Sequence, residues 1–318
     1  MWWGAHQLDH GDLSSISHLD YLNKFHESLK TEVRHTSYTG PKNTVLFLHG
    51  DSYTWKLRDT MFDGICDYKF IGWSNPCKYH LDSTKRNVLV IEVTERLLRN
   101  YYGNTQIIDQ LTDTGIKKKA LSEYHVTDPP HTRYSSLLPT IDINLFFNKY
   151  INQNLEYNLF NYKFIMPVFG CKAAINCYLF NRASGDAVIS EDKQFLFFKE
   201  TLDPTGPGSS LSPVSDDEVA RLVDNFNTIY DYYKASGFRE IYLSIIPNTV
   251  TIVRPEGYNN LIPRIQNDKR LKMKVIDIYT VCKTTSELLF MRGDTHWNKK
   301  GKQKWVDMVN EVLRHPRN

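Results

Sequence analysis

An α/β fold with a mostly parallel central sheet, in three layers, is the class this sequence predicts, on three observations. Four short β-branched runs are apolar almost throughout: TVLFLH at 44–49, NVLVIEV at 87–93, EIYLSIIP at 240–247 and MKVIDIY at 273–279. Strands buried on both faces of a helix-covered sheet read this way. Helical periodicity lies between or after these runs. At 216–247 the order is helix, glycine, strand, which is one half of a doubly wound unit.

Each element has a local justification. The first run ends at HGDSYT, 49–54, and TWKLRDTMF beyond it can form a helix. The second runs into TERLL. Residues 100–165 are polar and aromatic and include Pro129 and Pro130, so a single domain over 1–318 with a candidate insertion at 100–190 is the economical organisation. LDPTGPGSSLSPVS, 202–215, is a loop by composition, and a loop of this length is functional or mobile. From 216 to 236, apolar residues at 219, 222, 223, 226, 229, 230 and 233 form a helical stripe. Ser215 is its N-cap, Glu218 completes a capping box, and Gly237 is the stop. A short strand is expected at 287–292, then a turn, then a helix from about Lys300 capped by Asn298, with apolar positions 305, 306, 309, 312 and 313.

Composition excludes several classes. Of 318 residues, 41% are hydrophobic and 24% charged, as in an ordinary globular protein with a sizeable core. A formal net charge of +3 is too small to argue for nucleic acid. No run approaches the ~20 apolar residues of a membrane span. The N-terminal stretch has no basic start followed by an apolar core, so a leader is not expected within this sequence. There are five cysteines and no CxxC pair, which argues against a structural zinc site. Cys66 with Cys77, or Cys171 with Cys177, could close short disulfide loops; five free thiols is the alternative. Phosphate-binding glycine loops are absent, and no cofactor is implied.

Two stretches carry chemistry. Ser52 sits just beyond the carboxyl end of the first strand, where ligands of open α/β sheets bind. Gly50 permits close backbone approach. Far away in sequence, GDTHWN at 293–298 places Asp294 and His296 two apart in an extended turn, so that both side chains point the same way. An aspartate so placed fixes the histidine tautomer, and the other ring nitrogen can take a serine proton. Either stretch alone reads more readily as a polar turn; the pair is far more specific.

Together, GDS near the start and an Asp/His turn before the last helix resemble the SGNH hydrolase superfamily. The resemblance covers roughly 44–102 and 190–312. GDTHWNKKG, ELLFMR, IIPNTVTIV and VLVIEVTERLL are similar to its alginate O-acetyltransferase branch, marked by a DxHW turn. The resemblance implies a flavodoxin-like fold and a serine acyltransferase or esterase with Ser52, His296 and Asp294 as catalytic residues. Arg96, Asp51, Tyr101 and Trp297 are the oxyanion or substrate-binding candidates. It also implies a carbohydrate substrate with an acyl donor, an extracytoplasmic location and a membrane-bound acyltransferase partner. Two departures stand out. In that branch DxHW precedes GDS, whereas here the order is permuted. The GxND motif of SGNH esterases is missing, with Thr94 in the glycine place and Arg96 in the asparagine place. A catalytically idle carbohydrate-binding or assembly module of the same fold is the competing expectation.

Overall fold

A computed structural model of the chain describes residues 11–20, 22–26, 33–73, 75, 81–112 and 166–315. Seven strands occur in these segments: β1 (Thr44–Gly50), β2 (Ile65–Gly72), β3 (Arg86–Thr94), β4 (Ala187–Ile189), β5 (Leu196–Phe198), β6 (Glu240–Ile246) and β7 (Lys274–Val275). The helices are α1 (Asp12–Ile16), α2 (Glu95–Leu97), α3 (Thr105–Leu111), α4 (Met166–Phe180), α5 (Asp216–Ala235), α6 (Thr249–Val253), α7 (Leu261–Gln266), α8 (Ile278–Thr284) and α9 (Lys299–Arg314).

Five strands form one sheet in the order β2-β1-β3-β6-β7, and every pair in it is parallel. Counting only these five, the order is second, first, third, fourth, fifth, that of doubly wound flavodoxin-like sheets. The chain reverses its direction of travel across the sheet between β1 and β3. The carboxyl ends of those two strands therefore flank the switch point, where such sheets bind ligands.

The apolar runs are explained by helices on both faces. Along β1, Val45 and Phe47 join Leu89, Ile91, Leu243 and Ile245 in a core closed by Leu222, Phe226 and Ile229 of α5. Leu46 and Leu48 point the other way, to Val88, Val90, Tyr242 and the Trp305, Val306 and Val309 face of α9. Every residue of β1 and of β6 is buried. A separate antiparallel hairpin, β4–β5, packs with Leu13 of α1 and with Ala173 and Cys177 of α4.

Several expectations need correction. TWKLRDTMF is not a helix: residues 52–56 are turn, and only a 3₁₀ turn at Asp59–Met61 follows. MKVIDIY contributes just two strand residues, because Asp277 caps α8 by accepting the Thr280 N–H at 3.0 Å and pulls the chain off the sheet. At 287–292 there is a single bridge, Phe290 to Trp297, in place of a strand. Ser215 does accept the Glu218 N–H, at 3.1 Å, but the Glu218 carboxylate pairs with Arg99 at 2.7 Å and does not close a capping box. The 202–215 loop is pinned: Ser210 N–H donates to Thr201 O at 3.0 Å, and the Asn259 amide donates to Ser209 O and Ser212 O. Cys66, Cys171 and Cys177 are free thiols. Cys171 faces solvent from α4 and Cys177 faces the core, as a six-residue helical separation requires. Cys77 and most of the expected insertion, 113–165, lie outside the described residues.

Candidate active site

The turn that presents Ser52 is built on a buried carboxylate. Glu92, on β3 and wholly buried, accepts the Asp51 N–H at 3.1 Å and the Thr54 hydroxyl at 2.9 Å. Asp51 faces inward, 7% exposed, and its Oδ1 accepts the Tyr53 N–H at 2.9 Å. The Asp51 carbonyl accepts the N–H groups of Thr54 and Trp55 at 3.2 and 3.1 Å, closing one helix-like turn. Gly50 is required here: a Cβ would collide with Thr54 Oγ1 and lie 2.7 Å from Glu92 Oε2. Ser52 is left at the surface, and its N–H has no intramolecular acceptor among the described residues.

The second turn is held quite differently. Met291 N–H donates to His296 O at 3.0 Å and Asn298 N–H to Leu289 O at 2.9 Å, around the Phe290–Trp297 bridge. Asn298 then caps α9, its Oδ1 accepting the Lys300 and Gly301 N–H groups at 2.9 and 3.1 Å. Inside this turn, Asp294 Oδ1 accepts from the His296 backbone N–H at 2.7 Å and from its ring Nδ1 at 2.6 Å. The other ring nitrogen, Nε2, lies 2.8 Å from Ser52 Oγ. Residues 244 positions apart thus form one hydrogen-bonded chain, Ser52–His296–Asp294, at the switch point of the sheet. Sequence reasoning expected these three to meet, and they do.

Electrostatics fit a histidine that gains and releases a proton. Burial opposes the charge on His296, but the Asp294 hydrogen bond and charge, with Asp12, outweigh it and hold the imidazole above its ordinary value; Arg96 pulls the other way. Burial would raise Asp294, yet the hydrogen bond and charge of His296 leave its carboxyl below the usual range. Burial first, and then Asp51, push Glu92 well above the normal carboxyl value.

The other candidates divide. Arg96, at the start of α2, has its guanidinium carbon 5.9 Å from the Tyr53 ring centroid, and that ring lies 4.6 Å from the His296 ring. No ion pair joins Arg96 to Glu92, to Glu95 or to any other described residue. Burial works against its charge, but Tyr53, Asp51 and Asp12 more than offset this. Arg96 also lines a small crevice together with Thr295, Asn248 and Leu196 to Phe198. Trp297 is 2% exposed and packs edge-on against Tyr53 at 5.3 Å, so it supports the site from within the core. Tyr101 is buried as well; its hydroxyl donates to Trp73 O and its ring packs on Trp73 at 4.5 Å.

Some site residues carried no readable sequence signal. Tyr53 contacts the His296 ring and donates its hydroxyl to Thr295 O. Glu95, 2% exposed, accepts the Asn248 N–H at 2.9 Å and the Thr251 hydroxyl at 2.6 Å, tying α6 to the end of β3; burial pushes it up to about 7. Asp12 belongs to α1 at the other end of the chain. Its N–H donates to Asp294 Oδ2 at 2.8 Å, and its carboxylate accepts the N–H and hydroxyl of Thr295 at 2.9 and 2.6 Å. Asp12, Asp294 and His296 are the one grouping of metal-type ligands found among the described residues; their ligand atoms lie within 4.8 Å of one another. Those atoms are taken up by hydrogen bonds within the group and to Thr295. No helix among the described residues is long and apolar enough to cross a membrane.

No family model, curated protein or solved structure matches the chain.

Proposed function

We propose that this chain is a serine-dependent O-acyltransferase or esterase of SGNH type, acting on a carbohydrate. The observation that carries the reading is the chain of contacts from Ser52 Oγ to His296 Nε2 at 2.8 Å and from Nδ1 to Asp294 at 2.6 Å. Nucleophile, base and orienting carboxylate of acyl transfer need this arrangement, whatever their order along the chain.

In the proposed mechanism Ser52 Oγ attacks the carbonyl carbon of an acyl ester, most simply an acetyl ester, while His296 Nε2 takes its proton. Asp294 holds the ring and balances the imidazolium. The tetrahedral intermediate carries a negative oxygen, and the unengaged Ser52 N–H is one donor for it. Arg96 is the second, in the place where esterases of this type carry asparagine. The C–O bond to the donor alcohol breaks as His296 returns the proton to it. An acceptor hydroxyl then gives its proton to His296 and attacks the acyl-Ser52 ester, and His296 passes that proton to Ser52 Oγ as the ester bond breaks and frees the serine. With a sugar hydroxyl as acceptor the outcome is transfer; with water it is hydrolysis. None of these steps calls for a cofactor.

Two exposed tryptophans favour a carbohydrate. Trp55, 58% exposed, is three residues past Ser52, and Trp73, 37% exposed, donates its N–H to Gly50 O at 2.9 Å. Exposed aromatic faces close to the Ser52 turn, along the chain for Trp55 and through that hydrogen bond for Trp73, suit the faces of sugar rings. An extracytoplasmic setting and a membrane-bound acyltransferase supplying the acyl group complete the proposal by resemblance. The tryptophans would equally serve an idle binding module. Turnover of nitrophenyl acetate by wild type and by Ser52→Ala separates these readings. The enzyme reading expects turnover that the substitution abolishes; equal inertness across pH 5–9 favours the module. Mass analysis of an acetylated oligosaccharide product then distinguishes transfer from release of acetate.

A further inference from the structure

Asp12 is not needed for a serine, histidine, aspartate chain, yet it is built into this one from the opposite end of the sequence. Three features bear on what it does. The first is its fixed position. Its N–H donates to Asp294 Oδ2 at 2.8 Å, Ser14 N–H donates to Gly293 O at 2.9 Å, and the close approach leaves no room for a Cβ at Gly11, which would meet Gly293 O. The second is its ionisation. Oδ1 accepts the N–H groups of Leu13 and Thr295 at 2.7 and 2.9 Å, and Oδ2 accepts the Thr295 hydroxyl at 2.6 Å. Every one of these partners donates, so the contacts suit the carboxylate form. The third is its aim. Oδ2 lies 3.9 Å from His296 Nδ1, the nitrogen that already holds Asp294.

We propose that Asp12 is a positioning residue for the acyl-transfer site: a second carboxylate, delivered by α1, that favours the protonated state of His296 and locks the Asp294 turn. It rests on the reading of His296 as the general base. Asp294 supplies the short hydrogen bond at 2.6 Å and Thr295 Oγ1 a longer contact at 3.4 Å; Asp12 adds charge behind the same nitrogen while its own oxygens stay engaged by Thr295. Two nearby carboxylates facing one imidazole raise its proton affinity more than one does. Burial and then Asp294 raise Asp12 itself on balance, against the lowering by His296 and Thr295. The charged and titratable groups facing His296 are Asp294 on its own turn, Asp12 on α1, Tyr53 and Ser52 beyond β1, and Arg96 on α2, with Lys302 of α9 acting on Asp294. Of these, Arg96 lowers the imidazole and the two aspartates raise it.

The test reads the histidine directly. Nitrogen-15 NMR of His296, assigned by loss of its signals in His296→Gln, gives a titration midpoint without any need for turnover. In Asp12→Asn, with an unchanged thermal melt, the midpoint is expected to fall by about one unit or more, since a unit charge ~4 Å away counts for about 1 kcal/mol even in bulk water and for more where water is excluded. Asp12→Glu should restore much of it. The acid limb of nitrophenyl acetate hydrolysis should move with the NMR midpoint. A folded Asp12→Asn protein whose His296 midpoint stays put overturns the proposal, since a purely structural strap would leave it unmoved. If Asp12→Asn does not fold, Asp12→Ser decides: a folded Asp12→Ser protein should show the same fall in the His296 midpoint, and an unmoved midpoint overturns the proposal. Should Ser52→Ala show that Ser52 is no nucleophile, the NMR midpoint still reports on Asp12 independently.

Discussion

The two turns that meet at Ser52 and His296 are built on opposite principles. The Ser52 turn is sheet-borne. It continues β1 at the centre of a parallel sheet and rests on Glu92 of the adjoining strand, so five ladder-paired strands set its position. The His296 turn is not a continuation of any strand of that sheet, although Phe290 and Trp297 pack into the core on one of its faces. One bridge, a helix cap and the α1 strap hold it, through Asp12 to Asp294 and Ser14 to Gly293. The comparison teaches that one half of the proposed site is positioned by topology and the other by polar contacts across 282 residues of sequence. The two halves should therefore respond differently to damage.

The largest effects should fall on the contact between the halves. Ser52→Ala and His296→Ala are each expected to lower ester turnover about 10⁴-fold or more with little change in melting temperature, since Ser52 is exposed and its neighbours hold the turn. Retained turnover in His296→Ala would separate the halves functionally. Next comes Arg96→Ala, which should cost about 10²–10³-fold in kcat while ground-state binding of a small ester changes little, as for loss of an oxyanion donor. A change confined to KM would instead make Arg96 a substrate contact. In wild type, turnover should rise with pH through a midpoint above 6.5, because His296 must be neutral to act as base and its neighbours hold it above that value.

Glu95 offers a stability counterpart on the sheet side. Its folded value is raised to about 7 from an ordinary 4.5, so the folded state binds the proton more tightly than the unfolded chain. That contribution is complete below about pH 4.5 and is lost as pH climbs through 7, a loss of roughly 3 kcal/mol. Denaturant unfolding across this window should show the decline in wild type and a flatter profile in Glu95→Gln. The smallest pair contrasts the halves by their glycines. Gly50→Ala forces a Cβ against Thr54 and Glu92, and Gly293→Ala places one 2.5 Å from Phe25 O. Each should cost about 1–3 kcal/mol. Combining Gly50→Ala with Thr54→Ala should recover part of its loss, whereas the backbone neighbour of Gly293 offers no such relief.

What the sequence discloses follows the same division. β1, β3 and β6 are legible because both faces are buried and the runs are apolar almost throughout. α5 and α9 are legible from a stripe together with a capping residue. β2, ICDYKFIG, escapes notice because it is an edge strand whose residues are mostly solvent-facing or half-buried. The Ser52 and His296 turns announce themselves by short motifs, and their meeting can be anticipated because each motif lacks what the other supplies. Glu92, Glu95 and Asp12 cannot be anticipated: their roles exist only in pairings 38 to 283 residues away, and a lone acidic residue reads as surface. The failed helix after Ser52 belongs here too. TWKLRDTMF is compatible with a helix by composition, but Thr54 and the residues before it are drawn into the turn seated on Glu92.

Covalent labelling of the serine tests the central claim most directly. Wild-type protein treated with a fluorophosphonate should carry one adduct, located by peptide mass spectrometry on Ser52, and its rate of formation should fall about 10³-fold or more in His296→Ala. An unlabelled Ser52, or a Ser52 labelled equally fast with and without His296, would contradict the account.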